Sequence, residues 1–330
     1  MKPVDRLLNV LAHRPVDRPP VIGVTNSVTL DLMTAVGAKF PEAHHDSALM
    51  MKVGAAAHDV CGLESVKVPF DMTVETGALG AEIDYGDYDT LPRTRKPPFE
   101  TPEDLTVEEG YVKQGRIPII LEAIRLCRKN YGDRVPVISS LLGPFTLSTL
   151  LFGMERVFFW MLKEPDRCQS VLTKTTQLCI GYAREQFKAG SHALQIADPS
   201  ASRDLISSEQ YGTCVAPYHK EICSAIDSPT VIHLCGNITG HLKYIADTGA
   251  SGISFDYKTD IEEAKRWLKG KAALIGYVPT SLLREGKPEE VHAYSRECLK
   301  AGIDALNAGC SWPLDTPTAN VKAMVEAARE

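Results

Sequence analysis

The stretch Thr230-Val231-Ile232-His233-Leu234-Cys235-Gly236 decides how this chain is read. β-Branched residues run into a Gly236-Asn237 turn, which marks a short buried strand. Side chains alternate along a strand, so His233 and Cys235 point to one face, two residues apart.

Outward from this strand, strand-like and helix-like segments alternate along the chain. Strand patterns fall at 20–25, 65–70, 135–140 and 192–197 before it, and at 252–257, 273–278 and 305–308 after it. Helical patterns fall at about 27–36, 46–60, 117–131, 154–163, 165–189, 208–226, 240–247, 261–268, 288–302 and 317–328. Eight strands alternating with helices predict an α/β fold, a single-domain parallel (β/α)8 TIM barrel over residues 1–330. The stretch 81–115, rich in Pro, Gly, Asp and Thr, is expected to form a hairpin or irregular excursion and not a separate domain. No linker or low-complexity tract divides the chain.

A barrel of this kind carries its chemistry at the C-terminal ends of its strands. His233 and Cys235 end the fifth strand, and Cys310, in Asn307-Ala308-Gly309-Cys310, ends the eighth. One imidazole and two thiolates make a three-ligand zinc set with a fourth position open, as in catalytic zinc sites. Two thiolates cancel the charge of the dication. A third thiol taking the open position would be deprotonated yet remain nucleophilic. A three-histidine site keeps its positive charge and suits water activation, so this ligand set points to alkylation of a thiol more than to hydrolysis. Free Cys is also a small buried hydrophobe, and the chain has 9 of them. The shared placement of all three residues at strand ends favours the metal. Cys61, Cys127, Cys168, Cys179, Cys214, Cys223 and Cys298 lie mainly in helical patterns and are expected to serve packing.

Composition bounds the remaining function classes. The chain has 330 residues, 44% hydrophobic and 24% charged, with a net charge of −6. No basic run interleaved with aromatics appears, which argues against nucleic acid. No apolar stretch is long enough for a membrane span, and Met1-Lys2-Pro3-Val4-Asp5-Arg6 is not followed by a signal-type apolar core. Nine irregularly spaced cysteines fit reduced thiols, so the protein is expected in the cytoplasm.

Other polar residues at strand ends join the candidate site. Asp198, in Ile196-Ala197-Asp198-Pro199, stands where it could orient His233 or accept a proton, or instead cap a turn. Asp256 near the end of the sixth strand has the same two readings, and Asn237 lies in the loop after the fifth. His44-His45 reads as solvated surface, and Phe158-Phe159-Trp160 as core or interface.

Several segments resemble the uroporphyrinogen decarboxylase superfamily, in its branch of zinc-dependent methylcobamide:coenzyme M methyltransferases. They are Asp5-Arg6-Leu7-Leu8-Asn9-Val10-Leu11 with Pro15-Val16-Asp17-Arg18-Pro19-Pro20, Gly37-Ala38, Pro41-Glu42-Ala43-His44, Gly115-Arg116-Ile117-Pro118, Ile196-Ala197-Asp198-Pro199, the His233 segment, and Gly302-Ile303-Asp304-Ala305-Leu306 through Gly309-Cys310. The resemblance covers nearly the whole length. It implies a TIM barrel and zinc on His233, Cys235 and Cys310. It also implies a thiol substrate such as coenzyme M and a methylated corrinoid (methylcobamide) carried by a separate small protein. The reaction implied is methyl transfer to the thiol, in methanogenesis or one-carbon metabolism, from a wide apolar cleft. Arg116, Lys67 and Arg203 are candidates for the sulfonate of coenzyme M. Tyr277, in Ile275-Gly276-Tyr277-Val278, replaces an Asn of the family pattern, which predicts altered substrate-side contacts.

Two alternatives stand beside this reading. Related methyltransferases move the methyl group from a methyl halide or methyl ether onto the corrinoid. The decarboxylases of uroporphyrinogen carry a Pro-x-Trp-x-Met-Arg-Gln-Ala-Gly-Arg segment whose arginines hold propionates. The corresponding Gly23-Val24-Thr25-Asn26-Ser27-Val28-Thr29-Leu30 has no arginine, which disfavours that lyase chemistry.

Overall fold

A computed structural model describes residues 1–330, the side chain of Glu109 excepted. Seven parallel strands form one sheet in the order β1 (Val66–Val68), β4 (Val137–Leu142), β5 (Ala193–Ala197), β6 (Thr230–His233), β7 (Gly252–Ser254), β8 (Ala273–Val278) and β9 (Ala305–Ala308). The remaining pair, β2 (Ile83–Asp84) and β3 (Arg93–Thr94), forms a small antiparallel hairpin inside the 81–115 stretch.

The eighth stave is the segment 20–24, which closes the barrel with very few ladder bonds. Val21 bridges Leu306 in parallel. The Leu306 N–H donates to Pro20 O at 2.8 Å and the Ile22 N–H to Leu306 O at 2.9 Å. On the other edge the Glu64 N–H donates to Val21 O at 2.8 Å, and the Gly23 N–H to Ser65 Oγ at 2.8 Å. Pro19 and Pro20 have no N–H to give, so regular pairing cannot extend toward the start of this stave. The result is a (β/α)8 TIM barrel, as the strand pattern predicts.

Each strand is buried on both faces, as covered parallel sheets require. Outward-facing Val66, Val68, Leu194, Ile196, Ile232 and Ile253 pack under the ring of helices. Inward-facing Ile22, Val24, Ile138, Ala193, Val231, Ala273, Ile275 and Ala305 fill the lower barrel. The N-terminal helix Pro3–Leu11 seals this layer from below with Leu7, Val10 and Leu11. Its opposite side is anchored by Arg6, which pairs with Asp17 at 2.7 Å and Glu64 at 2.8 Å. The floor is therefore apolar, and the polar side chains of the site stand in the upper layer.

The helix Pro144–Phe152 has no counterpart in the periodicity of the sequence. Nearly all its residues are buried, so no polar face announces it. Pro144, which ends β4, also occupies the first helical turn, where proline is tolerated. The expected helix over 208–226 divides at Val215 into Ser208–Cys214 and Ala216–Ser224.

Candidate metal centre

The end of β6 brings His233 to the barrel mouth, and the turn that follows carries Cys235 on the same face. From the opposite side, the loop after β9 delivers Cys310. His233 Nε2 lies 3.3 Å from Cys235 Sγ, and Cys235 Sγ lies 3.3 Å from Cys310 Sγ. The three ligand atoms all fall within 4.8 Å of one another. Zinc–ligand bonds of about 2.0–2.3 Å in a tetrahedron place neighbouring donors roughly 3.3–3.8 Å apart, so the donor set fits that metal. A disulfide would need sulfurs at about 2.05 Å, and both thiols are free.

The electrostatics of the trio favour a thiolate. Cys310 is pulled down by the hydrogen bond from Cys235 and by His233, against the opposing effect of burial. Cys235 moves up in consequence, through its hydrogen bond with Cys310 and through burial. The hydrogen bond between the two sulfurs favours thiolate character at Cys310, and a metal bound there would displace the remaining proton.

His233 is 4% exposed and is oriented from behind. Its Nδ1 lies 3.1 Å from Ser254 Oγ on β7, leaving Nε2 toward the sulfurs. Asn307 Nδ2 donates to the same Ser254 Oγ at 3.4 Å and to Ala308 O at 2.7 Å.

Asp198 occupies a different environment. It is fully buried, and its carboxylate accepts from Thr146 N–H at 2.6 Å, Thr146 Oγ1–H at 2.6 Å and Phe145 N–H at 3.3 Å. His219 Nε2 lies 2.9 Å from its Oδ2. Asp198 therefore stands at the N-terminus of the helix Pro144–Phe152, where a negative charge is favourable. Only its backbone N–H touches His233, at the carbonyl oxygen, 3.0 Å away. Orientation of His233 falls to Ser254 instead.

The other candidates divide similarly. Asp256 sits beside the trio: burial raises its carboxyl, and Cys310 adds to the shift. Its Oδ1 accepts from Lys258 N–H at 3.1 Å, which is turn capping. Asn237 Oδ1 accepts from Thr239 N–H at 2.9 Å and does not line the pocket. Arg116 is buried away from the pocket, bound to Asp71 at 2.8 and 3.1 Å and to Thr73 Oγ1 at 2.8 Å. Arg203 is exposed. Tyr277 leaves the pocket altogether and stacks outside the barrel on Phe255, with Tyr294 edge-on. The expected change in substrate-side contacts at Tyr277 is thus replaced by an outer packing role. His44 is not surface either. It is fully buried, stacks on Phe40 and lies 3.2 Å from Asp71.

A cavity of about 230 Å³ opens beside the trio. Phe70, Met72, Leu91, Leu141, Leu142 and Pro199 give it apolar walls. Its walls are mainly apolar, as expected. Its polar lining includes residues that sequence reasoning passed over: Asn26, Glu75, Ser140 and Gln195. Glu75 is buried, accepts from Leu142 N–H at 2.7 Å, and is lifted by burial to about 7. For Ser140 and Gln195 the only sequence signal was an inward register on neighbouring strands, and Asn26, in a loop, and Glu75, on the helix Val74–Ala78, had none. Ser140 stands opposite Gln195, and Ala197, two residues on, stands opposite His233.

Comparison with known proteins agrees with this architecture. A methylcobamide:CoM methyltransferase of Methanosarcina mazei is 37% identical over 99% of this chain and 97% of its own length. One of Methanosarcina acetivorans is 35% identical over the same shares. A solved methyltransferase structure from Methanosarcina mazei superposes with a TM-score of 0.97 at 35% identity, covering 100% of this chain and 98% of that one. The sequence model of uroporphyrinogen decarboxylase (URO-D) matches residues 2–330, and the chain belongs to that family.

Proposed function

We propose that this protein transfers a methyl group from a methylated corrinoid to a thiol, with zinc on His233, Cys235 and Cys310. The observation that carries the reading is the His/Cys/Cys trio, its donors within 4.8 Å of one another, beside a cavity sized for a short thiol. Full-length relatives named for methylcobamide and CoM chemistry support it.

Bound zinc would lower the pKa of a thiol substrate, so that the sulfur attacks as a thiolate at neutral pH. The protein supplies the rest. Ser254 holds the ring of His233 in place, and the apolar plug below excludes water from beneath. The walls from Phe70, Leu91 and Leu142 keep the substrate sulfur poorly hydrated and therefore nucleophilic. A new S–C bond forms as the methyl–cobalt bond breaks, and the electron pair of that bond stays on cobalt. The cavity beside the trio opens at the barrel mouth, the side from which a corrinoid would meet the sulfur. That arrangement suits a donor presented by a separate corrinoid-carrying protein.

The test is elemental analysis of the purified protein, followed by methylcobalamin demethylation with a short thiol, read by absorbance. One zinc per chain and a methyl thioether product are expected. No metal uptake on reconstitution under reducing conditions would overturn the reading.

A further inference from the structure

Away from the sulfur trio, one helix turns large apolar side chains to solvent. Met154–Lys163 buries Val157 and Trp160, yet Met154, Phe159 and Leu162 are 44%, 52% and 62% exposed. Half-buried Phe158 and Met161 stand beside them. Single exposed apolar residues are ordinary, but a cluster of them rimmed by charge marks an interaction surface.

Two mainly apolar grooves flank this helix. One lies at its N-terminal end, between Pro97, Phe99, Phe152 and Gly153. The other lies at its C-terminal end, between Met161, Pro165, Leu172 and Tyr218. The face thus has both protruding side chains and places to receive them.

The charges on the face say what covers it. Glu155 and Lys163 stand four residues before and four residues after Phe159, so the three form one row along the exposed side. Both charged residues are exposed, and neither has a salt-bridge partner among the described residues. Glu164, the next residue, is by contrast paired with Arg167 at 3.0 Å. Each charge sits at the helix end where the dipole favours it. The dipole does not, however, ask for equal spacing about an exposed aromatic ring.

A row that reads negative, aromatic, positive is complementary to itself turned end for end. A two-fold axis through Phe159 lays a second copy of the helix antiparallel on the first. Glu155 then meets Lys163 of the second copy, and Lys163 meets its Glu155. The same axis carries Leu162 of the second copy to the level of Arg156, at the first groove. It carries Met154 of the second copy to the level of Glu164, at the second groove. Every protruding side chain meets an apolar groove, and the match occurs twice, as an isologous interface requires.

We propose that this face joins two copies of the chain into a homodimer, through antiparallel Met154–Lys163 helices with Phe159 at the axis. The proposal is independent of the methyltransferase reading. One helix face with two grooves is at the small end of specific interfaces, so the dimer is expected to dissociate at about 1–100 μM.

Sedimentation equilibrium of the full-length protein across that range tests it, and a monomer–dimer equilibrium is expected. Leu162→Glu drives a charge into the first groove of each copy and should weaken the dimer about 30-fold or more. Glu155→Lys sets like charges against each other at both pairs and should weaken it about 5- to 10-fold, as should Lys163→Glu. Combining the two exchanges should restore the dissociation constant to within about threefold of the unaltered value. That restoration requires this helix to pair with itself antiparallel. All of these side chains project from the surface, so the circular dichroism of each variant should match that of the unaltered protein. A protein that stays monomeric to about tenfold above that range would overturn the proposal and leave the face to an unlike partner. So would a dimer indifferent to Leu162→Glu, or one that the combined exchange weakens as much as either single exchange.

Discussion

Replacing Asp198 by alanine decides whether this carboxylate holds the fold or serves the chemistry. In the structure it accepts four contacts: two backbone N–H groups, the Thr146 hydroxyl and the His219 imidazole. All are buried, so alanine would strand Phe145 and Thr146 N–H groups without water. Hydrogen bonds to a charged group contribute about 1.5–3 kcal/mol each, non-additively. The favourable position at a helix N-terminus adds about 0.3–1 kcal/mol. Loss of one partner from a buried charge cluster costs about 3–5 kcal/mol in comparable cases, and that is the expected cost here. Against a total stability of about 5–15 kcal/mol, it is easily read from urea unfolding curves. Asp198→Asn keeps an acceptor for some of the donors and is expected to lose roughly half as much. Metal content of the folded fraction should not change, because the carboxylate does not reach the imidazole of His233. A loss below about 1 kcal/mol, combined with abolished methyl transfer, would refute the capping role and return Asp198 to the reacting atoms.

Further outcomes follow from the same coordinates. Cys310→Ala should leave the protein folded, since this side chain sits in a loop at the mouth, while zinc content and methyl transfer are lost. Elemental analysis with circular dichroism reads both, and full metal retention would remove Cys310 from the ligand set. Ser254→Ala frees the imidazole of His233 to rotate, and metal affinity should fall about 10- to 100-fold in chelator competition. An unchanged affinity would show that strand packing alone orients the ring. Glu75→Gln tests the burial of that acid. Between its ordinary value of 4.5 and its folded value of about 7, the folded chain holds a proton that the unfolded chain has released. Stability therefore falls as pH rises through that window, by up to about 3 kcal/mol at 1.36 kcal/mol per unit. Glutamine keeps the acceptor for Leu142 N–H, so the variant should gain stability at pH 8 and little at pH 5, measured by urea unfolding. Equal effects at both pH values would place Glu75 as an ordinary carboxylate.

The barrel was legible because its signals are local. Strand runs such as 193–197 and 230–233 are set by β-branched and apolar residues next to turn formers, and their order fixes the topology. The trio was legible for the same reason: alternation along β6 forces His233 and Cys235 to one face, and strand ends in a barrel share one mouth. Asp198 was ambiguous because its role depends on a helix about fifty residues earlier in the chain, and that helix has no periodicity to show itself. His44 read as surface because its partners Asp71 and Phe70 come from the loop after β1, beyond any local pattern. Tyr277 read as a pocket residue because it replaces an Asn, yet the chain turns it outward onto Phe255. Lys67 stood in the sequence as one cation of three. Its place in the pocket lining and its lack of a carboxylate partner, both tertiary properties, separate it from Arg116.

The choice of Ser254 to orient His233 has a chemical consequence. A carboxylate on Nδ1 would make the imidazole more basic and add negative charge to a site that already holds two sulfurs. A hydroxyl fixes the ring without adding charge, and it is itself held by the amide of Asn307, also uncharged. A neighbouring acid, Asp256, has its carboxyl raised by burial and by Cys310, which works against a further negative charge there. The charge of the ligand set therefore comes from Cys235 and Cys310 alone. With zinc bound as proposed, two thiolates would balance the dication, and a third sulfur from the substrate would bring the first excess negative charge to the site. That excess is what a nucleophile attacking a methyl group needs. A carboxylate introduced by Ser254→Asp should accordingly tighten metal binding while weakening thiolate capture. A rise in affinity for both would mean that the neutral shell behind His233 has no bearing on the reaction.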